Sequence, residues 1–128
     1  MFLMVDADDS RPLYRQVADG IKALIARGDL RPGVTLPSVR QVAADLGVNL
    51  NTIAIGYREL QDEGYVSIRH GAGAVVTSRP VRGGPDGDLR KALRTSLTDF
   101  VLAGLSDREI VAVVKQELES LRKKGSSR

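Results

Sequence analysis

The stretch that decides the fold is Leu36-Pro37-Ser38-Val39-Arg40-Gln41-Val42-Ala43-Ala44-Asp45-Leu46-Gly47-Val48-Asn49-Leu50-Asn51-Thr52-Ile53. Ser38 and Gln41 have the S-x-x-Q spacing of a capping box, which satisfies free backbone N–H groups where a helix begins. Gly47 supplies the left-handed conformation in which many helices end, because glycine has no Cβ to clash. The pattern therefore predicts a short helix over Val39–Leu46.

A second helix is predicted over Leu50–Glu63, with Asn49 as its capping residue. Its apolar face has helical spacing and consists of Ile53, Gly56, Tyr57 and Leu60. Two helices joined by a glycine turn form a helix-turn-helix, whose second helix enters the major groove of DNA. Small helical domains without any DNA-binding role contain similar pairs, so this spacing alone leaves both interpretations open.

The residues after this pair predict a β-hairpin. Gly64 ends the second helix, and the β-branched or aromatic segments Tyr65–Ile68 and Ala74–Val76 follow it. Gly71 and Gly73 between them are turn residues, since no helix follows to make them a phosphate-binding loop. A helix-turn-helix followed by a hairpin is a winged helix.

An amphipathic helix is predicted before the organising stretch. Ser10 is a capping candidate, Pro12 suits a first helical turn, and Gly28 ends the helix. Its apolar stripe consists of Leu13, Val17, Ile21, Leu24 and Ile25. Residues 1–10 form an N-terminal lead that we expect to be extended or frayed.

Five motifs in this region occur in the order and at the separations of a known family. They are Pro12-Leu13-Tyr14-Arg15-Gln16-Val17, Gly28-Asp29-Leu30-Arg31-Pro32-Gly33, Leu36-Pro37-Ser38-Val39-Arg40, Asn51-Thr52-Ile53 and Glu63-Gly64-Tyr65-Val66. Together they resemble the DNA-binding domain of the GntR family of bacterial transcription regulators over residues 11–78. The resemblance implies a winged helix-turn-helix domain that binds double-stranded DNA.

The resemblance also implies which residues approach DNA. The residues at the family's contact positions are Arg40, Asn49, Leu50, Asn51, Thr52 and Ala54, with His70 and Gly71 at the tip of the wing. Ser38, in the same motif as Arg40, and Arg58, on the exposed face of the second helix, complete the predicted DNA-binding set.

The second helix departs from the family at two of these positions. Members often carry arginine where this chain has Leu50 and Ala54, and arginine is the residue that recognises guanine bidentately. Asn51 can bond adenine, Thr52 can reach a phosphate or a base, and Ala54 can meet a thymine methyl group. We therefore expect recognition weighted toward A·T pairs, backbone contacts and DNA shape.

Charge is distributed unevenly along the 128 residues. The net charge is +3, but residues 1–77 carry eight basic against nine acidic side chains, and residues 78–128 carry eleven against seven. The predicted DNA-binding region is thus −1 overall, so its positive potential must come from local clustering.

Composition excludes several function classes. The chain has no cysteine and only one histidine, His70, which cannot form a metal site by itself. Without a cysteine nucleophile, a metal-ligand cluster or a glycine-rich phosphate loop, we expect no enzyme and no cofactor. The apolar run over residues 1–5 is too short for a signal peptide, and no run approaches the about 18 residues of a membrane span. A cytoplasmic location without membrane association is expected.

The C-terminal region predicts two further helices. Residues 79–87, rich in glycine and proline, form a linker, residues 88–124 contain the helices, and residues 125–128 form a disordered tail. Gly104 separates the helices, and Ser106 with Glu109 forms a second capping box. Two isolated helices bury their apolar stripes poorly, so this hairpin needs the winged domain or a second copy of the chain. The predicted dimer interface consists of Leu93, Leu97, Phe100, Val101, Ile110, Val114 and Leu118.

The expected architecture is therefore mainly α-helical with a small β-hairpin wing, a winged helix-turn-helix domain followed by a C-terminal helical hairpin. Only 51 residues follow position 77, too few for the large effector domains of most GntR proteins. The short tail resembles the YtrA subgroup, which implies a homodimeric repressor of a palindromic operator, with a transporter operon as target. The alternative is a winged-helix docking module for another protein. The sequence identifies no small-molecule effector.

Overall fold

The structure, a computed structural model, describes residue 3 and residues 5–69, 73–77 and 87–126, with side chains of the last helix up to Arg122. These residues form five helices and one antiparallel hairpin. The elements are α1 (Leu13–Ala26), α2 (Val39–Leu46), α3 (Leu50–Asp62), β1 (Val66–Arg69), β2 (Gly73–Val76), α4 (Asp88–Leu102) and α5 (Asp107–Ser126). The chain forms two compact units that divide between residues 79 and 80. The predicted winged, mainly helical fold is confirmed.

The first unit has its hydrophobic core between α1 and α3. The largest fully buried side chains come from both helices and from the hairpin: Val17, Ile21, Ile53, Leu60, Val66 and Val76. A Cβ atom on Gly56 would lie 3.0 Å from the carbonyl oxygen of Tyr14, so the glycine lets α3 approach the backbone of α1 closely. Burial of these side chains removes apolar surface from water and is the main stabilising term of the unit.

α2 begins and ends at the predicted residues. Ser38 Oγ accepts a hydrogen bond from the backbone N–H of Gln41 at 3.0 Å, and Gly47 ends the helix with φ 68°. Only half of the capping box forms, because Gln41 Nε2 donates instead to Asp45 Oδ1 at 3.0 Å. The capping sequence thus fixed the start of α2 through one of its two possible bonds.

The wing is broader than the predicted hairpin. β1 and β2 pair antiparallel, and Val66 lies opposite Val76. On its other side, β2 pairs with the segment at 33–36: the Gly33 N–H donates to the Val76 carbonyl, and the Leu36 N–H to the Ala74 carbonyl, both at 2.8 Å. β2 therefore lies between β1 and the segment that leads into α2, which connects the wing to the helix-turn-helix.

The N-terminal lead is held against α1 by hydrogen bonds. Gln16 is 6% exposed, and its Oε1 accepts from the Asp6 N–H at 2.8 Å while its Nε2 donates to the Arg11 carbonyl at 3.1 Å. Arg11 pairs with Asp9, and this hydrogen bond holds the pKa of the Asp9 carboxyl below its ordinary value of 3.8. The lead was predicted to be extended or frayed, and these bonds show that Gln16 anchors it at Asp6.

The start of α1 also differs from the prediction. Pro12, rather than Ser10, is the N-cap residue, and no side chain caps the helix. Leu13 is 38% exposed, so the buried stripe instead includes Gln16 and Ala18. The apolar spacing is compatible with more than one rotation of α1 about its axis, and packing against α3 determines which side is buried.

The second unit consists of two helices that bury little surface. Ser106 and Glu109 form both bonds of the predicted capping box, at 2.8 and 3.2 Å, and start α5. α4 has no buried residue, and Ile110 is the only buried hydrophobic residue among those described after residue 77. α5 continues to Ser126, two residues into the segment expected to be disordered. Positions 78–86, which include most of the predicted linker, and positions 127–128 lie outside the described residues.

Candidate nucleic-acid interface

The candidate interface is centred on the first turn of α3. Asn49 is extended, with φ −63° and ψ 135°, and its Oδ1 accepts from the Asn51 N–H at 2.7 Å. This bond satisfies one of the free donors at the helix terminus and fixes the direction of the helix as it leaves the turn. Asn49, Leu50 and Asn51 are all exposed, so three consecutive predicted contact residues lie at the surface.

α3 has one buried face and one face open to solvent, as a recognition helix requires. The predicted apolar face, with Ile53, Gly56, Tyr57 and Leu60, is buried. Arg58 is exposed, and Thr52 and Ala54 are half-buried. The exposed part of the helix thus carries uncharged side chains in its first two turns and a cation in its third, which leaves its N-terminal half open to a groove.

Two predicted residues lie at the start of α2. Arg40, the second residue of α2, is exposed, and Ser38 is exposed with its hydroxyl engaged in the helix cap. Tyr57, on α3, donates its hydroxyl to the Pro37 carbonyl at 2.6 Å, directly before this cap. The hydrogen bond fixes the start of α2 to α3, so it helps to set where Arg40 lies relative to the recognition helix.

The basic residues of the first unit divide into two groups. One group, on or next to α1, is neutralised by nearby carboxylates: Arg11 with Asp9 and Asp19, Arg15 with Glu59, Lys22 with Glu63, and Arg27 with Asp29. The other group, for which the described part of the chain provides no ion-pair partner, is Arg31, Arg40, Arg58 and Arg69.

The separation into paired and unpaired basic residues shows where positive charge is available in a region whose net charge is −1. Carboxylates pair with the cations of α1. Arg40 on α2, Arg58 on α3 and Arg69 at the end of β1 have no carboxylate partner among the described residues. An arginine without a carboxylate partner can bind phosphate without first breaking an ion pair. Within the described residues, a region with a net charge of −1 thus has arginines without an ion-pair partner on α2, α3 and β1.

The tip of the wing is described only in part. The predicted contact residues His70 and Gly71 lie outside the described residues. Arg69, which immediately precedes them, is exposed and pairs across the hairpin with Gly73, whose φ is 74°. Arg69 was not among the predicted contacts, although its position next to the tip made it a candidate.

The described residues also include a side chain that links α3 to the wing. Gln61 Oε1, near the end of α3, accepts a hydrogen bond from the Ile68 N–H of β1 at 2.7 Å. Thr77 pairs with Tyr65 through a backbone bond, so the Ile68 N–H points away from β2 in this alternating ladder. Gln61 therefore satisfies the open edge of β1. No local sequence signal identifies this contact, because it spans seven residues and two elements.

The predicted dimer residues lie at helical spacing along α4 and along α5. Leu93, Val101 and Leu118 are 53%, 59% and 45% exposed, and Leu97, Phe100 and Val114 are half-buried. Ile110 is 8% exposed, so it has little surface left for a partner.

A family comparison identifies the fold. The model of the bacterial regulatory proteins of the gntR family matches residues 13–76, half of the chain. The chain belongs to the GntR family. The matched segment runs from the first residue of α1 to the last residue of β2, and so it includes the whole winged helix. The family assignment made from the five motifs is confirmed.

Individual relatives extend the similarity beyond the GntR-type domain. The transcriptional repressor YtrA of Bacillus subtilis is 27% identical over 117 residues, which cover 89% of this chain and 90% of YtrA. The structure of YtrA from Sulfolobus acidocaldarius, a GntR-family transcription factor, matches with a TM-score of 0.62 and 35% identity, over 78% of this chain and 97% of that one. The YtrA-like subgroup assignment is confirmed.

A DNA complex has the same fold. The structure of AraR(DBD) in complex with operator ORX1 matches with a TM-score of 0.54 and 24% identity, over 60% of this chain and 96% of that one. As a GntR-family member, the protein is a DNA-binding transcription regulator and not an enzyme. In the described part of the chain, no helix has the length and apolar character needed to span a membrane.

Proposed function

We propose that the protein is a homodimeric repressor that binds a palindromic operator with its two winged helices and acts in the bacterial cytoplasm. The observation that carries this proposal is the contrast between neutralised cations on α1 and uncompensated arginines on α2, α3 and β1. Unpaired arginines can neutralise the phosphates of a polyanion, and they supply the positive charge that DNA binding needs in a region with a net charge of −1.

In this proposal α3 enters the major groove with its N-terminal turn foremost. Asn51 is exposed, and only its backbone N–H takes part in the helix cap. Its side chain hydrogen-bonds a base edge, and Thr52 bonds a base or phosphate. Arg40 and Arg58 bind phosphates on either side of the groove, and the wing tip with His70 and Gly71 approaches the backbone. Asn49, Ser38 and Ala54 shape the first turns of the two helices.

The dimer forms through α4 and α5. Leu93, Val101 and Leu118 are 45% to 59% exposed, and a partner that covered them would bury the apolar stripes that one chain leaves open. A two-fold dimer presents two recognition helices to half-sites about one DNA turn apart, which is why the proposed operator is palindromic. The similarity to the YtrA repressors supports the repressor role, and a transporter operon is the target class that we propose.

The proposal is tested by fluorescence anisotropy of a labelled duplex from the region upstream of the protein's own gene. We expect binding in the nanomolar range that weakens steeply with salt, because every phosphate contact releases condensed counterions. An unrelated duplex should compete weakly, and footprinting should then show two symmetric half-sites.

Equal and weak binding to both duplexes would contradict the proposal and would favour a docking module, for which a pull-down is the next experiment. Binding that is specific but protects a single half-site would retain the DNA-binding role and refute the palindromic dimer.

A further inference from the structure

The side chain of Leu50 has no evident role in the folding of the first unit. It is 46% exposed and is absent from the hydrophobic residues that form or pack against the core, whereas the nearby Leu46 and Val48 pack there. Single exposed leucines are common and need no explanation in general. The position of this one matters, because Leu50 is the first residue of α3.

The N-terminal residues of a recognition helix are those that contact base edges in helix-turn-helix proteins. Here the nearest polar group is already engaged, since Asn49 Oδ1 accepts the Asn51 N–H at 2.7 Å. One turn after Leu50, on the same side of the helix, Ala54 adds only a methyl group. The leading side of α3 is therefore apolar at the point where the helix would enter the groove.

The major groove offers such a surface one apolar partner. Guanine, adenine and cytosine present only donors and acceptors there, and thymine alone presents a methyl group, on C5. An apolar side chain over the other three bases would leave their polar groups without a hydrogen bond. The chemistry of the groove thus leaves one base that Leu50 can contact favourably.

We infer that Leu50 is a specificity-determining residue, which recognises the 5-methyl group of a thymine in each operator half-site. The inference rests on the proposed function and deepens it, since it assigns the preference for A·T pairs to one side chain and one atom of the base. Asn51, on the exposed side of the same turn, is then free to recognise a neighbouring position through its amide.

The test replaces every thymine of the upstream duplex by deoxyuridine, which removes only the methyl groups and keeps all base pairs. Loss of one methyl contact should weaken binding about fourfold, and loss of one in each half-site about fifteenfold. The Leu50→Ala variant should bind the thymine duplex more weakly by a similar factor, and its preference for that duplex over the deoxyuridine duplex should fall by the same factor.

Leu13→Ala is the matched control. Leu13 is also the first residue of a helix and is 38% exposed, but it belongs to α1. This variant should keep both the affinity and the discrimination of the native protein. Any change in DNA shape or stacking caused by deoxyuridine affects all three proteins equally, so the comparison isolates the contact of Leu50.

Two results would overturn the inference while the proposed function stands: equal affinity of the native protein for both duplexes, or unchanged discrimination by Leu50→Ala. The second result would assign the methyl contact to another residue. If the native protein prefers neither the upstream duplex nor an unrelated one, the proposed function itself fails and the inference fails with it.

Discussion

Arg40 and Arg15 are both exposed arginines of the first unit, and they differ in what surrounds them. Arg15 lies 3.4 Å from Glu59, whereas Arg40 has no ion-pair partner among the described residues. Arg40→Ala should therefore weaken operator binding and lower the salt dependence by about one released counterion. Arg15→Ala should leave both unchanged, because a surface ion pair such as the one between Arg15 on α1 and Glu59 on α3 contributes little to stability or binding. Anisotropy titrations over a range of salt concentrations measure both quantities.

The result that would contradict this assignment is an equal effect of the two variants. It would mean that general positive potential, rather than the position of Arg40 on α2, determines the affinity.

Tyr57 combines a buried ring with one hydrogen bond. It is 3% exposed, and its hydroxyl donates to the Pro37 carbonyl at 2.6 Å. Tyr57→Phe keeps the ring and removes the bond, so the free energy of unfolding should fall by about 1 kcal/mol. Urea denaturation measures the change. Tyr14→Phe is the control, since the half-buried Tyr14 forms no hydroxyl bond in the described part of the chain and should show no comparable loss.

The same residue makes a prediction about alkaline pH. Burial raises the pKa of Tyr57 from 10.0 to about 12, so between these values the unfolded chain loses the phenol proton while the folded chain keeps it. Stability from this group is therefore complete below pH 10.0 and is lost as the pH rises toward about 12. The stability difference between the native protein and Tyr57→Phe should shrink over that range in urea titrations, and a constant difference would refute the shift.

At the scale of elements, α3 and the wing are joined by Gln61. Its carboxamide oxygen accepts the Ile68 N–H, which faces away from β2. Gln61→Ala should expose this N–H and accelerate its hydrogen exchange roughly three- to tenfold, as expected for the loss of one net hydrogen bond. Operator affinity should also fall, because the wing is then held less firmly against the recognition helix.

Gln41→Ala is the control for the exchange measurement. Gln41 bonds Asp45 within α2 and has no contact with β1, so the Ile68 amide should exchange at its native rate. Exchange that is equally slow in Gln61→Ala would show that the strand pairing alone protects this amide.

The elements that sequence predicted well are those determined by local chemistry. Ser38 and Gly47 set both ends of α2, and Ser106 with Glu109 set the start of α5, because caps act within one turn of the helix. The contacts that sequence did not predict connect distant residues. Gln16 holds the lead through bonds to Asp6 and Arg11, and no pattern near residues 5–9 indicates such an anchor.

At the scale of the molecule, the candidate site also combines features that local sequence predicted with contacts between distant residues that it did not predict. The apolar spacing of α3 predicted the residues that face the core, and the structure has them buried, whereas Thr52 and Ala54 are half-buried rather than fully exposed. The pairing of charges could not be predicted, because it requires α1 and α3 to lie side by side, as Arg15 and Glu59 do. The net charge of −1 therefore could not show which arginines are available to bind DNA.

The second unit carries the last prediction, which concerns the oligomeric state. Leu97 and Leu118 lie on the apolar stripes of α4 and α5, and Leu118 is 45% exposed. A carboxylate at either position would have to be desolvated at a dimer interface, so Leu97→Asp and Leu118→Asp should each give monomers in sedimentation. Thr95→Asp is the control: Thr95 is exposed on the opposite side of α4, and its substitution should leave the dimer intact.

Monomers should also bind the operator far more weakly than the dimer, because each half-site then binds without the high effective concentration that its partner supplies. A single half-site duplex should show little difference between Leu97→Asp and the native protein, since the winged helix is unchanged. If Leu97→Asp and Leu118→Asp both sediment as dimers, the interface lies outside the stripes of α4 and α5. If they are monomeric yet bind the full operator with native affinity, dimerisation through these helices is not what the palindrome requires.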